Sequence, residues 1–446
     1  MINDATRAVG AATMQGYVQE PAPETPDADG VSLRVKVGSR AAHSGERTRQ
    51  YVLTEITVGN AASNAPGGLK GARLPVNLSL VLDRSGSMEG EPLDYVKRAV
   101  GQIVDLMTPN DVLSIVTFAE TVDVLMPARR VTDRELIKQH VQRIMSGNTT
   151  NLFDGLYAGA AQIAAVPGAG YASRLLLLTD GEPTAGLKDF QSIISQVGDL
   201  KAKGVTVTAL GFGPEYNEEL LAGIAKKSDG NYYHIERPEM IPDIFRKELE
   251  SVLSVVAKNP RLTFYVPRGC TVRQVYGTPP VHQARSAAIG LPDLETGGSI
   301  TKIWEMDWEP RTPATYRVAK AVLTYEDAAT GNPEILSTNV VVDFVTDAAS
   351  ARTALDPQVA QAVAVAQASR DLENTMMGMR TQAINVTQMT EALRKTQTVL
   401  TQQGRVAEAT QVAQAAKAAE RGDAANMDKT LMGAIYTLDQ GKRSGQ

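Results

Sequence analysis

The chain has 446 residues, of which 43% are hydrophobic and 21% charged, with 45 Lys and Arg against 50 Asp and Glu for a net charge of -5. At about 100–200 residues per domain this length predicts at least two domains, and the balance of charge lacks the basic excess that nucleic-acid binding calls for. The single cysteine, Cys270, excludes an intrachain disulfide and any Cys-based metal or redox motif, which fits a reducing cytosol.

In chain order, residues 1–28 read as a flexible arm: Pro21, Pro23 and Pro26 stand among acidic residues, and Ala8-Val9-Gly10-Ala11-Ala12 is too weak a run for a secretory signal. No uninterrupted apolar stretch of about 18–20 residues occurs, so no membrane span and a cytoplasmic location are expected. Residues 31–37 alternate Val31, Leu33, Val35 and Val37 with Ser32, Arg34 and Lys36, the period of a half-buried strand. Residues 51–58 repeat the pattern after a polar turn, and the two are expected to pair as a hairpin with a long loop. Residues 60–70, rich in Ala, Asn, Pro and Gly, read as a linker.

From Leu74 the strands become continuously apolar, at 76–82, 112–118, 175–178 and 205–212. They alternate with helical periods at 92–107, 133–145, 152–166, 189–203, 215–227 and 239–256. This pattern implies an α/β fold with a doubly wound, mostly parallel sheet covered on both faces, over residues 74–257. Asn259-Pro260 is expected to end it, because a residue before proline is driven out of the helical region. Alternating apolar positions at 262–266, 303–308, 317–325 and 340–345 then predict antiparallel strands. Two strands alone are marginal in water, so the hairpin is expected to join them in an antiparallel β-sandwich of residues 29–60 and 258–348, with the α/β domain inserted. Trp304 and Trp308, four apart in a strand, share a face and read as sheet packing.

From Asp356 onward Ala, Gln, Thr and Met take over. The spacings Met389, Leu393, Thr396, Leu400 and Leu431, Ile435, Leu438 are helical, and Gly404 and Gly422 fall where helices stop. Residues 355–446 are therefore expected to form an α-helical C-terminal domain of three or four helices, the last two as an antiparallel hairpin. The low aromatic content, 5%, belongs mainly to this tail.

The residues that carry chemistry stand at strand ends. One apolar strand runs into Asp83-Arg84-Ser85-Gly86-Ser87-Met88 and another into Thr179-Asp180-Gly181-Glu182-Pro183. Open parallel sheets bind ligands outside the carboxyl ends of their strands. Gly147-Asn148-Thr149-Thr150-Asn151, just before a helix, can reach the same edge. Two carboxylates and three hydroxyls, without sulfur or imidazole, suit a hard divalent cation such as Mg²⁺, which takes oxygen ligands and keeps waters. Hydroxyl ligands bring no charge, so the cation keeps much of its pull on an incoming acidic side chain, which favours binding over hydrolysis. Ser85 and Ser87 lack a Gly-x-Ser-x-Gly elbow, and His43, His140, His234 and His282 lie outside these loops. No P-loop and no His-Glu-x-x-His motif occurs, and no enzymatic activity is expected.

These residues resemble the metal-ion-dependent adhesion site of von Willebrand factor A (VWA) domains: Asp83-x-Ser85-x-Ser87, a distant Thr150, and a strand-terminal Asp180 followed by Gly181. Pro109-Asn110-Asp111-Val112, Thr117-Phe118-Ala119, Leu210-Gly211-Phe212-Gly213 and Asp229-Gly230-Asn231-Tyr232-Tyr233 agree with the family. The family often has Gly-Gly before its threonine, whereas here Gly147-Asn148-Thr149-Thr150 makes Thr149 a second candidate. Thr150 is preferred because Asn151 follows it. The resemblance implies a Rossmann-like fold and a Mg²⁺, with Ca²⁺ and Mn²⁺ as alternatives, held by Asp83, Ser85, Ser87, Thr150 and Asp180. It further implies a protein partner whose Asp or Glu completes the metal's shell. The flanking strands look like the layout of bacterial VWA proteins whose β domain resembles that of inter-alpha-trypsin inhibitor heavy chains and calcium-activated chloride channel-like proteins. Metal-dependent protein binding is the expected function. The alternative is an adaptor of a cytosolic AAA+ ATPase or of a bacterial conflict or stress-response system, in which the helical tail chooses the partner. A surface adhesin, which requires export, ranks last.

Overall fold

The computed structural model describes residues 30–59, 74–166, 170–351 and 355–443, so the expected arm at 1–28 and the linker at 60–70 lie outside the described residues. The α/β part is built on a six-stranded sheet in the order Val122–Arg130, Val112–Phe118, Val76–Asp83, Ala172–Thr179, Val207–Phe212, Tyr232–Ile235. All neighbours are parallel except the first pair. Every residue of the central strand Val76–Asp83 is buried, as strands covered on both faces must be. Leu78, Leu80 and Leu82 pack against the helices Glu91–Leu106, Arg134–Gln142 and Ile241–Leu253. Val81, Leu175 and Leu177 face Leu152–Ala164, Phe190–Ala202 and Glu218–Lys227. Asp111, fully buried in the Pro-Asn-Asp phrase, accepts the Val76 N–H at 2.8 Å and so pins the start of the central strand.

Buried Glu248 fixes the helix Ile241–Leu253 to the sheet. It accepts hydrogen bonds from Thr208 (2.7 Å), Asn231 (2.8 Å) and Tyr233 (2.6 Å). The helix ends at Leu253, three residues before the expected 256, because the β-branched pair Val255-Val256 already begins the strand Val255–Tyr265. That strand runs straight through Asn259-Pro260, the expected boundary. Proline has no N–H to give the ladder, and the chain accommodates it with Asn259 at φ 52° and a register shift between Lys258 and Arg261.

Two further sheets share one core. The first has the order Val31–Val37, Thr48–Val58, Ser299–Trp308, Cys270–Val275, and the second Val281–Gln283, Ser286–Gly290, Val255–Tyr265, Ala314–Asp327, Pro333–Val345, Ala41–His43. The hairpin pairs in register from Val31 with Val58 to Val37 with Val52. Its connecting loop carries Ala41–His43, which pairs in parallel with Pro333–Val345, so the second sheet is mixed. Trp304 and Trp308 are both fully buried in this core, and Trp304 stacks on Phe264 across it at 4.1 Å between centroids.

The tail folds into the helices Pro357–Arg380, Val386–Gln402, Val406–Glu420 and Ala424–Gln440. Gly404 and Gly422 turn the chain between them at φ 73° and 77°. It does not end as a helix: Gly441, at φ 64°, turns the chain so that Lys442–Arg443 pairs with Ser299 and Ile300 of the first sheet. Among the described residues no helix is long and apolar enough to cross a membrane.

The last helix also holds the α/β part. Tyr436 Oη and Gln440 Nε2 both donate to the Gly230 carbonyl at 2.7 Å, and Lys429 reaches Glu218 at 3.3 Å. Arg380 pairs with Glu218 (2.7 Å), Asp428 (2.9 Å) and Glu219. His234 lies between Asn426 (3.1 Å) and Tyr216 (2.8 Å), whose hydroxyl also meets that of Tyr232 at 2.8 Å. Burial lowers the His234 pKa against the opposing pull of Asn426, Glu236 and Glu218, with Lys429 adding to the depression. An imidazole whose folded-state pKa is depressed binds its proton more readily in the unfolded chain, so it costs nothing above its ordinary pKa and destabilises the fold as pH drops through it. Wild-type protein is predicted to lose melting temperature between about pH 7 and about pH 5 more steeply than His234→Gln. Parallel melting curves for the two proteins across that range would refute the role of His234.

Candidate functional site

The carboxyl edge of the parallel sheet gathers the expected residues. Asp83 ends the central strand and is fully buried. Its Oδ1 accepts the Ser85 N–H at 2.8 Å and its Oδ2 accepts the Thr179 hydroxyl at 2.5 Å. Thr179, 96 residues away, ends the adjacent strand and orients this carboxylate, a role that spacing alone does not reveal. Burial raises the Asp83 pKa to about 6, with the neighbouring Asp180 adding to the rise and the Thr179 and Ser85 hydrogen bonds opposing it. Asp180 is raised as well, first by burial, while Ser87 and Ser85 pull it down and Glu215 pushes it up.

Ser85 Oγ, Ser87 Oγ and Asp180 Oδ1 form a triangle with edges of 3.2, 3.4 and 2.8 Å. One face of an octahedron of oxygens at about 2.1 Å from a Mg²⁺ has edges of about 3 Å. The three oxygens are thus spaced as ligands on one ion would be. The short turn Gly86–Met88 makes this possible by bringing two hydroxyls of one loop toward the same carboxylate.

Of the two threonines, Thr149 is exposed and Thr150 is buried. Thr150 is clamped to the loop after Asp180: its N–H donates to Thr184 Oγ1 at 2.8 Å, and its carbonyl accepts from the N–H groups of Thr184 (3.0 Å) and Ala185 (3.2 Å). A Cβ on Gly181 would sit 3.5 Å from Thr150 Oγ1, which places that hydroxyl beside the residue that follows Asp180. The loop before Thr150 is tied down in turn. Glu120 accepts the Asn148 N–H at 2.8 Å, which holds its own carboxyl below the ordinary range, and the Gly147 N–H donates to the Arg84 carbonyl at 2.6 Å. Arg84 turns its guanidinium aside, onto Thr121 (3.0 Å) and Asp123 (2.9 Å).

No imidazole or thiol stands in this constellation. His234 is engaged by Tyr216 and Asn426, and Cys270 is buried in the core of the two β-sheets.

Residues 77–247 match the von Willebrand factor type A domain. An uncharacterised protein of the cyanobacterium Synechocystis is 29% identical over 276 residues, covering 59% of this chain and 65% of its own length. The inter-alpha-trypsin inhibitor heavy chain H1 of Bos taurus is 31% identical over 179 residues, 38% of this chain, and the match spans 20% of that protein. The chain thus spans about two thirds and one fifth of the lengths of these two relatives. A von Willebrand factor type A structure from Catenulispora acidiphila superposes with a TM-score of 0.72 over 94% of this chain and 98% of the other, at 16% identity. Residues 77–247 therefore form a von Willebrand factor type A domain, and the overall fold of the chain is that of the Catenulispora acidiphila structure.

Gly147 offers a direct check on how tightly the threonine loop is held. A Cβ there would lie 2.5 Å from Glu120 Oε2, 2.6 Å from the Ala119 Cβ and 2.8 Å from an Arg84 guanidinium nitrogen. Gly147→Ala is predicted to destabilise the protein by about 1–3 kcal/mol, the usual cost of overpacking, read as a lower urea midpoint. An unchanged midpoint would mean that the loop yields freely.

Proposed function

We propose that the von Willebrand factor type A domain of this chain binds a protein partner through a divalent cation and catalyses no reaction. Asp83, Ser85, Ser87, Thr150 and Asp180 would hold the ion. The all-oxygen, hydroxyl-rich donor set favours Mg²⁺, with Mn²⁺ and Ca²⁺ as alternatives. The observation that carries this reading is the oxygen triangle of Ser85, Ser87 and Asp180, with edges of 2.8 to 3.4 Å. Once bound, the cation supplies an electrophilic position for a carboxylate oxygen of a partner Asp or Glu.

The chain's own residues prepare that position. Ser85 and Thr179 keep the buried Asp83 carboxylate in one orientation. Thr184 fixes Thr150, and Asp180 is left with the Ser85 and Ser87 hydroxyls as partners, so that three of the five donors bring no charge.

Partner choice by the helical tail, the adaptor reading, is less favoured. Its final helix and terminal strand are engaged with Gly230, Glu218 and Ser299 of the same chain. A reducing compartment is part of the proposal and rests on the lone, buried Cys270.

A ligand that binds only the native state raises its stability, by about 2.7 kcal/mol at a hundred times its Kd. Mg²⁺ added to chelator-treated protein is therefore predicted to raise the melting temperature. Thr150→Ala should weaken that gain and Asp83→Ala abolish it, while Thr149→Ala leaves it intact. A melting temperature indifferent to Mg²⁺ and Mn²⁺ would sink the metal site, and loss of the gain in Thr149→Ala would reassign its threonine.

A further inference from the structure

The loops at the carboxyl edge of the sheet hold a charge unlike that of the remaining chain. Residues 83–91, 119–123, 147–151, 180–189, 213–217 and 236–239 contain eleven Asp and Glu against three Lys and Arg. The whole chain nets only -5, so everything outside these loops is net positive. Arg84, the cation beside the oxygen triangle, is spent on Asp123 at 2.9 Å.

Four exposed glutamates remain around the site, each fixed to it by geometry. Glu89 follows Ser87 by two residues and its N–H is bonded to the Gly86 carbonyl at 3.2 Å. Glu182 follows Asp180 by two residues, and Glu215 lies in the loop just after the strand Val207–Phe212, whose Gly211 pairs with Thr179 next to Asp180. Glu120 holds the Asn148 N–H at 2.8 Å.

We propose that the partner's metal-binding Asp or Glu lies between Lys or Arg side chains that pair with the Glu89, Glu120, Glu182 and Glu215 rim. The inference rests on the metal-dependent reading above and names the chemistry of its partner. A bound divalent cation is offset by the Asp83 and Asp180 carboxylates, so beyond the ion an approaching acid meets the rim. At about 0.1 M salt the screening length is about 10 Å, so charges within a few residues of the ion are not screened from the ligand that reaches it. A carboxylate set among further acids is repelled, and one set among cations is drawn in. Like charges brought together at an interface disfavour the wrong partner, and opposite charges raise both selectivity and the rate of encounter.

The test uses two surface-tethered peptides, Lys-Lys-Gly-Asp-Gly-Lys-Lys and Glu-Glu-Gly-Asp-Gly-Glu-Glu, against the full chain in Mg²⁺. The lysine-flanked peptide is predicted to bind at least about tenfold tighter, with the preference shrinking at high salt. The double variant Glu182→Lys/Glu215→Lys should reduce the preference or invert it, while binding stays sensitive to EDTA. Equal binding of both peptides, abolished by EDTA, overturns the rim inference and leaves the metal reading standing. Binding of the lysine-flanked peptide that survives EDTA and an Asp-to-Asn change in the peptide overturns the metal reading, and the partner proposed here with it. Failure of both peptides to bind overturns both.

Discussion

A carboxylate out of water at the end of the central strand sets the terms for the whole active edge. Asp83 is buried, and burial alone would favour its neutral form. The sheet counters this with two hydrogen bonds, from the Ser85 N–H and from Thr179 on the adjacent strand, and the loop brings two serine hydroxyls to the second carboxylate, Asp180. Two buried carboxylates with raised pKa values and few cationic neighbours form a site whose electrostatics favour a cation. Regions of this kind commonly trade stability for function.

The same constraint explains the surrounding architecture. A sheet edge that must hold its loops in one geometry needs rigid support from below and from the sides. Asp111 anchors the beginning of the central strand, Glu248 fastens the helix Ile241–Leu253 to the strand residues Thr208 and Tyr233 and to Asn231 just before the edge strand, and the tail closes the side at Tyr232–Ile235 through Asn426, Lys429 and Tyr436. The terminal pair Lys442–Arg443 then joins the tail to the sheet that carries Trp304 and Trp308. Neighbouring Lys302, buried, gives its ammonium to Thr278 (2.9 Å) and to the Asp439 carbonyl (2.5 Å), and burial lowers its pKa to about 8. The helical tail is thus tied to both of the other units, and none of the three meets solvent on all sides.

What could be read from the sequence follows from the range of the interactions involved. The parallel strands declared themselves because burial on both faces makes them continuously apolar, and the metal-site candidates did so because their chemistry sits in three short segments. The edge strand Val122–Arg130 was not anticipated: it pairs on one side only, is mostly exposed without a regular alternation and contains Pro127, so it has neither the continuous apolar run nor the period of two that marks a strand. The strand through Asn259-Pro260 was hidden by a local rule that a bulge overrides. Thr179 as the support of Asp83, and Asn426 as the partner of His234, join residues 96 and 192 positions apart. No periodicity or spacing encodes such pairs, because they come into being only when the sheets and the tail have packed.

The central claim is that Asp83, Ser85, Ser87, Thr150 and Asp180 together hold one divalent cation. Its most direct test is a titration of Mn²⁺ into chelator-treated protein, followed by the electron paramagnetic resonance signal of the free ion. Uptake of one Mn²⁺ per chain, displaced by excess Mg²⁺ and lost in Asp180→Ala, is the predicted result. A free-ion signal that rises from the first addition, or uptake by Asp180→Ala equal to that of the wild type, would contradict it.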